Sequence, residues 1–145
     1  MSTSSPTTST STPRAVVIAL GSNLGDRSWH LRRALHALSS VVRVVRVSSF
    51  HETDPVDAPP DSPPFLNAVL IGHTSLAPLA LLDALLAIEH RLGRRRRGVR
   101  NEPRIIDLDL IAYDAIRMRT RKLTLPHPRA QEREFVMGPW REIGG

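Results

Sequence analysis

Two segments with leucines at helical spacing, each set between short runs rich in valine and isoleucine, restrict this chain to few folds. Leu31, Ala34, Leu35 and Leu38 share one helical face, which predicts a helix over residues 26–40. Leu82, Leu85, Leu86 and Glu89 carry a second helix from Pro78, well placed in a first turn, to Leu92, where Gly93 stops it. Residues 14–20 (RAVVIAL), 41–50, 65–71 and 105–112 (IIDLDLIA) read as strands. Residues 51–64 hold five prolines and no periodicity, so they form a long loop. A second, arginine-rich loop covers residues 94–104. The segment containing Pro126, Pro128 and Pro139 reads as mostly irregular, with a short helix near Ala130. The order strand–helix–strand–strand–helix–strand predicts an α+β fold of ferredoxin-like βαββαβ plan, an antiparallel sheet with helices packed on it.

Composition narrows this further. Hydrophobic residues make up 41% of the chain and aromatics 4%, so the core must be built from Leu, Val, Ile and Ala. The absence of cysteine excludes a disulfide framework and a thiolate metal site. No apolar run approaches the roughly 20 residues that cross a bilayer. Residues 1–13 are expected to form a disordered polar tail, having almost nothing to bury, and residues 14–145 a single domain. A cytoplasmic monomer is expected, with no membrane partner.

The net charge of +6 is unevenly placed, since residues 73–145 carry fourteen basic and nine acidic side chains. That excess predicts an anionic partner for the second half. Asp107 and Asp109 lie two apart in an apolar strand, so both carboxylates share one face while Leu108 and Leu110 face the core. Two acids there need a counter-charge, and either a hard cation such as magnesium or bridging arginines would supply it. Arg94, Arg95, Arg96, Arg97, Arg100 and Arg104 lead into that strand. Guanidinium forks match phosphate oxygens, although a solvated basic loop or a nucleic-acid contact would use the same residues. Phe65 and Asn67 share a strand face and fit either a flat heterocycle or core packing. His127 is flanked by Pro126 and Pro128, and the GSNLG turn lacks the lysine and spacing of a phosphate loop.

Taken in order, VVIALGSNLGD, SSFHETDPV, FLNAV, GRRRRGVRNEPRIIDLDLI and LTLPHP resemble the motifs of the 6-hydroxymethyl-7,8-dihydropterin pyrophosphokinase family, over about residues 16–143. The resemblance implies pyrophosphoryl transfer from ATP to the pterin alcohol, giving AMP, in folate biosynthesis. It implies two magnesium ions on Asp107 and Asp109. Phe65 and Phe135 would sandwich the pterin, Asn67 would bond its edge, and backbone near Thr53 and Val56 would help hold it. Arg94, Arg96, Arg104 and His127 would bind phosphates, with Lys122 and Thr124 beside the nucleotide. The loops 51–64 and 94–103 would form a lid. Three positions depart from the family pattern: Asn101-Glu102 replaces Trp-Gly, His51 replaces Tyr, and Asp57 replaces Gly. Two other functions use the same pattern. An RNA-binding module would share the strand order and the charge, but lacks stacking aromatics here. A binding domain for nucleotide or pterin without turnover would share the site residues.

Overall fold

The structure, a computed structural model, describes residues 9–54, 61–94 and 104–144. Strand β1 (Ser9–Ser22) leads into helix α1 (Arg27–Leu38), followed by β2 (Arg43–Val47), β3 (His51–Thr53) and β4 (Phe65–Leu76). Helix α2 (Pro78–Arg91) then precedes β5 (Asp107–Tyr113), a hairpin of β6 (Met118–Arg119) and β7 (Thr124–Leu125), and helix α3 (Glu134–Glu142). The main sheet runs β2-β4-β1-β5, with β3 also on β4, and every pairing is antiparallel. This is the α+β arrangement expected, and the interleaved order is compatible with the ferredoxin-like plan.

The strands' two-residue period divides the sheet into two faces. Ile18, Leu20, Ala68, Leu70, Leu108 and Leu110 point to one side, where Leu31 and Leu38 of α1 and Leu81, Leu85 and Ile88 of α2 close the main core. These aliphatics are almost fully removed from water, and each contributes about 1.5–3 kcal/mol by burial. The opposite face carries Ala19, Val69 and Ile111, over which α3 lays Val136 and Ile143. Asp26 caps α1 by accepting the Trp29 N–H at 3.1 Å, and Pro78 opens α2, as its rigid φ favours. Gly72 lets β2 pass close, since a Cβ there would lie 2.6 Å from the Arg43 carbonyl oxygen.

Three sequence expectations need correction. Strand β1 begins at Ser9, which pairs with Leu76, so residues 9–13 belong to the sheet and not to the tail. The extended stretch 41–50 ends at Val47, and the chain resumes as β3 at His51, inside the segment read as loop. Ser48 makes the break by bonding Val69 through both backbone and side chain. The region after β5 is not irregular. Phe135, Val136, Pro139, Trp140 and Ile143 recur at helical spacing, and burial of that stripe outweighs the hydrogen bond lost at Pro139. The short helix near Ala130 is a single 3-10 turn, Ala130–Glu132. Among the described residues no helix is long and apolar enough to cross a membrane.

Candidate active site

Helix α3 covers only part of the second sheet face. Past it, toward the β1–α1 turn, the strands carry polar side chains. Register places Asp109 beside Ala19 and Asp107 beside Gly21, with Asn67 on the other flank of Gly21. Asp107, Asp109, Phe65 and Asn67 therefore lie on one face, as their spacing requires, while Leu108 and Leu110 enter the core. Ile111 keeps to the same face as the aspartates, and a bulge where Val17 and Ile18 of β1 skip it shifts the alternation beyond, so that Tyr113 joins Leu108 and Leu110 in the main core. Gly21 is the low point between these groups. A Cβ there would stand 3.1 Å from Asn67 Oδ1 and 3.4 Å from the Phe65 ring.

The two aspartates differ in surroundings. Asp107 is bridged: Arg94 Nη1 donates to its Oδ1 at 2.5 Å and Arg104 Nη1 to its Oδ2 at 3.2 Å. Arg94 also donates to buried Glu89 at 3.3 Å, and Glu89 accepts the Leu108 N–H at 2.7 Å. Asp109 has no hydrogen bond or ion pair among the described residues. Burial, with the Asp107 and Glu89 charges adding to it, pushes the Asp109 carboxyl up to about 7, against the opposing pull of Arg133 and Arg104. Burial and the like charges beside it disfavour the Asp109 carboxylate, and both acids offer hard oxygen donors on one surface. The pair fits magnesium in donor chemistry. Of the two sequence alternatives, the arginine bridge is present at Asp107, and Asp109 has no such bridge among the described residues.

The nucleotide-side candidates are unequally placed. Arg94 is 8% exposed and engaged by two carboxylates. Arg104, just before β5, has a buried Nε with no hydrogen-bond partner among the described residues. His127 is tied down by its backbone N–H to the Ile111 carbonyl at 2.8 Å, and its Nδ1 accepts the Arg129 N–H at 3.2 Å. That leaves Nε2 as the donor of a neutral ring, and burial together with Arg133 holds the imidazole below its usual range. Thr124 is half-buried in β7, and Lys122 is exposed in the hairpin turn closed by Thr120 and Leu123. Thr53 accepts the Asn67 Nδ2–H at 2.6 Å. Phe135 comes from α3 onto the same sheet face, with the Arg133 guanidinium 5.5 Å over its ring. Val56 and Arg96 lie outside the described residues, as do the other residues of 55–60 and 95–103 in the two loops expected to form a lid.

With this geometry in place, the comparisons with known proteins are specific. The family model of 7,8-dihydro-6-hydroxymethylpterin-pyrophosphokinase (HPPK) matches residues 17–145. The chain belongs to the HPPK family. A Bacillus subtilis 2-amino-4-hydroxy-6-hydroxymethyldihydropteridine pyrophosphokinase is 46% identical over 128 residues, which cover 87% of this chain and 75% of the bacterial protein. An Arabidopsis thaliana folate synthesis bifunctional protein is 42% identical over 137 residues, covering 94% of this chain but only 28% of the plant protein. A crystal structure of Plasmodium falciparum HPPK-DHPS with pterin and p-hydroxybenzoate shares the fold at a TM-score of 0.68 and 14% identity, over 92% of this chain and 38% of that one. The HPPK chain thus spans most of the bacterial relative and a minor part of the bifunctional ones.

Several residues that shape this HPPK site escape motif reading. Buried Asn23 accepts the Arg104 N–H at 2.7 Å and donates to the Pro63 carbonyl at 3.2 Å. The GSNLG turn therefore clasps the described ends of both lid loops. Glu89 was visible only as an acid on the apolar stripe of α2. Arg133 faces the site because it precedes α3, an element the prolines concealed.

Proposed function

We propose that this HPPK domain transfers the pyrophosphoryl group of ATP to 6-hydroxymethyl-7,8-dihydropterin on the face that carries Asp107, Asp109, Asn67 and Phe65. The observation that carries the reading is the partition of that single sheet face. One end holds paired carboxylates with arginines beside them, and the other holds an aromatic and an amide around Gly21. An anionic triphosphate and a flat heterocycle need those two chemistries side by side.

Asp107 and Asp109 are the residues to hold two magnesium ions, which when bound neutralise the ATP phosphates. Arg94, Arg96 and Arg104 supply positive charge to the phosphates, and His127 donates its Nε2–H. Lys122 and Thr124 flank the nucleotide from the β6–β7 hairpin. Phe65 and Phe135 stack on the pterin, Asn67 bonds its edge with Thr53 fixing the amide, and backbone near Thr53 and Val56 helps hold it. The hydroxymethyl oxygen attacks the β-phosphorus in line, the bridge to the α-phosphorus breaks, and AMP leaves. The protein's part is positioning and charge neutralisation, worth several kcal/mol of barrier lowering in such reactions. A monomer acting on small molecules, and not on nucleic acid, is part of the same proposal. The experiment is AMP formation with and without the pterin alcohol. AMP that requires the pterin supports the reading, whereas ADP as product, or tight binding without turnover, contradicts it.

A further inference from the structure

Outside the reacting groups, one charged cluster joins two elements that the site depends on. Glu142, in the last turn of α3, accepts the Ser49 N–H at 2.8 Å through Oε2 and the Ser49 hydroxyl at 2.8 Å through Oε1. The same Oε1 lies 2.6 Å from His51 Nε2. Ser49 Oγ is itself 3.2 Å from that ring nitrogen. Next to this contact, Arg46 of β2 donates to the Ile143 carbonyl at 3.0 Å. The C-terminal turn of α3 is thereby fastened to the chain between β2 and β3.

Both partners of this fastening lead to the site. His51 opens β3 and pairs with Asn67, and two residues on, Thr53 holds the Asn67 amide. At the other end of α3, about 13 Å away by helical rise, stand Phe135 and Arg133. A shift of α3 relative to β3 therefore changes the gap between Phe135 and the Phe65–Asn67 pair. From this placement we infer that His51 is a positioning residue: its bond to Glu142 helps set α3 over the sheet, and with it the gap in which the flat heterocycle binds. The inference rests on the pterin reading above only for the identity of that heterocycle.

The neighbouring side chains are engaged elsewhere: Arg46 with the Ile143 carbonyl, Glu52 with Arg27, and Arg141 with Glu134. Bonds from Ser49 and His51 hold the Glu142 carboxyl down at about 2, so it is a standing anionic acceptor for the His51 ring.

The test compares wild type, His51→Gln and His51→Phe by two readouts. The first is direct binding of 6-hydroxymethyl-7,8-dihydropterin without nucleotide. His51→Phe, which cannot bond Glu142, should bind about threefold more weakly than wild type, in line with loss of an exposed polar contact. His51→Gln, which can still bond Glu142, should recover most of that loss. The second is amide hydrogen exchange in residues 134–143, where His51→Phe should lose protection that His51→Gln keeps. Unchanged binding and protection in His51→Phe, or equal losses in both variants, overturns the inference. Absence of pterin binding in all three proteins, with protection of α3 still lost in His51→Phe alone, would refute the pterin reading and leave the positioning role standing.

Discussion

Replacing Asp109 by Asn should stabilise the metal-free domain at pH 8 and leave it unchanged at pH 4. In the folded protein, burial and the charges of Asp107 and Glu89 raise this carboxyl from 3.8 to about 7. A raised folded value means that the stability associated with the protonated form is fully present below 3.8 and is lost as pH climbs through about 7. The gap corresponds to about 4 kcal/mol at 1.36 kcal/mol per pH unit, and water reaching the half-buried group reduces this to about 2 kcal/mol. Asparagine never ionises, so it escapes the loss. For a domain of this size, about 2 kcal/mol raises Tm by about 6 °C. Thermal melts of both proteins in chelator, at pH 4 and pH 8, give the answer. Coincident melts at both pH values, or a less stable variant at pH 8, would refute the assignment of Asp109 as an electrostatically strained carboxyl.

Asp107→Asn should behave in the opposite way, losing about 2 kcal/mol in denaturant unfolding at pH 7, because it strips buried Arg94 of one carboxylate. Both variants should lose turnover by at least a hundredfold in an AMP assay. Magnesium affinity of the wild type should rise as pH increases from 6 to 8, with proton release seen by calorimetry in buffers of different ionisation enthalpy, because Asp109 must ionise to serve as a ligand. Phe65→Ala should weaken pterin binding about tenfold while nucleotide binding holds, since stacking on one ring is worth about 1–1.5 kcal/mol. Gly21→Ala should also weaken pterin binding selectively, because the new methyl crowds Asn67 Oδ1 at 3.1 Å.

The parts of the site carried by regular strands were legible in the sequence. A two-residue period fixes Asp107 with Asp109, and Phe65 with Asn67, to single faces before any contact is known. The helices were legible through their own 3.6-residue period, although in α2 the buried stripe is Leu81, Leu85 and Ile88, and Leu86 of the expected face is exposed. What the residues could not show alone was how loops and side chains resolve competing partners. Arg94 sits in an arginine run without periodicity, and only the proximity of Glu89 and Asp107 turns it inward. Helix α3 was hidden by Pro139, because local propensity argues against a helix that tertiary burial of Val136 and Ile143 sustains. Strand β3 was hidden because three residues beside a proline-rich stretch carry no pattern, and their pairing with β4 is set by the partner strand. Asn23 lay in a motif read for its glycines, while its amide does the clasping.

The central claim is that Asp107 and Asp109 together hold the metal that places ATP beside the pterin. Its most direct test is manganese binding followed by electron paramagnetic resonance, with an ATP analogue carrying a methylene bridge between the α- and β-phosphorus. Wild type should bind two ions per protein in the presence of the analogue, and each asparagine variant should lose at least one with a large fall in affinity. Unchanged manganese stoichiometry and affinity in both variants would contradict the account.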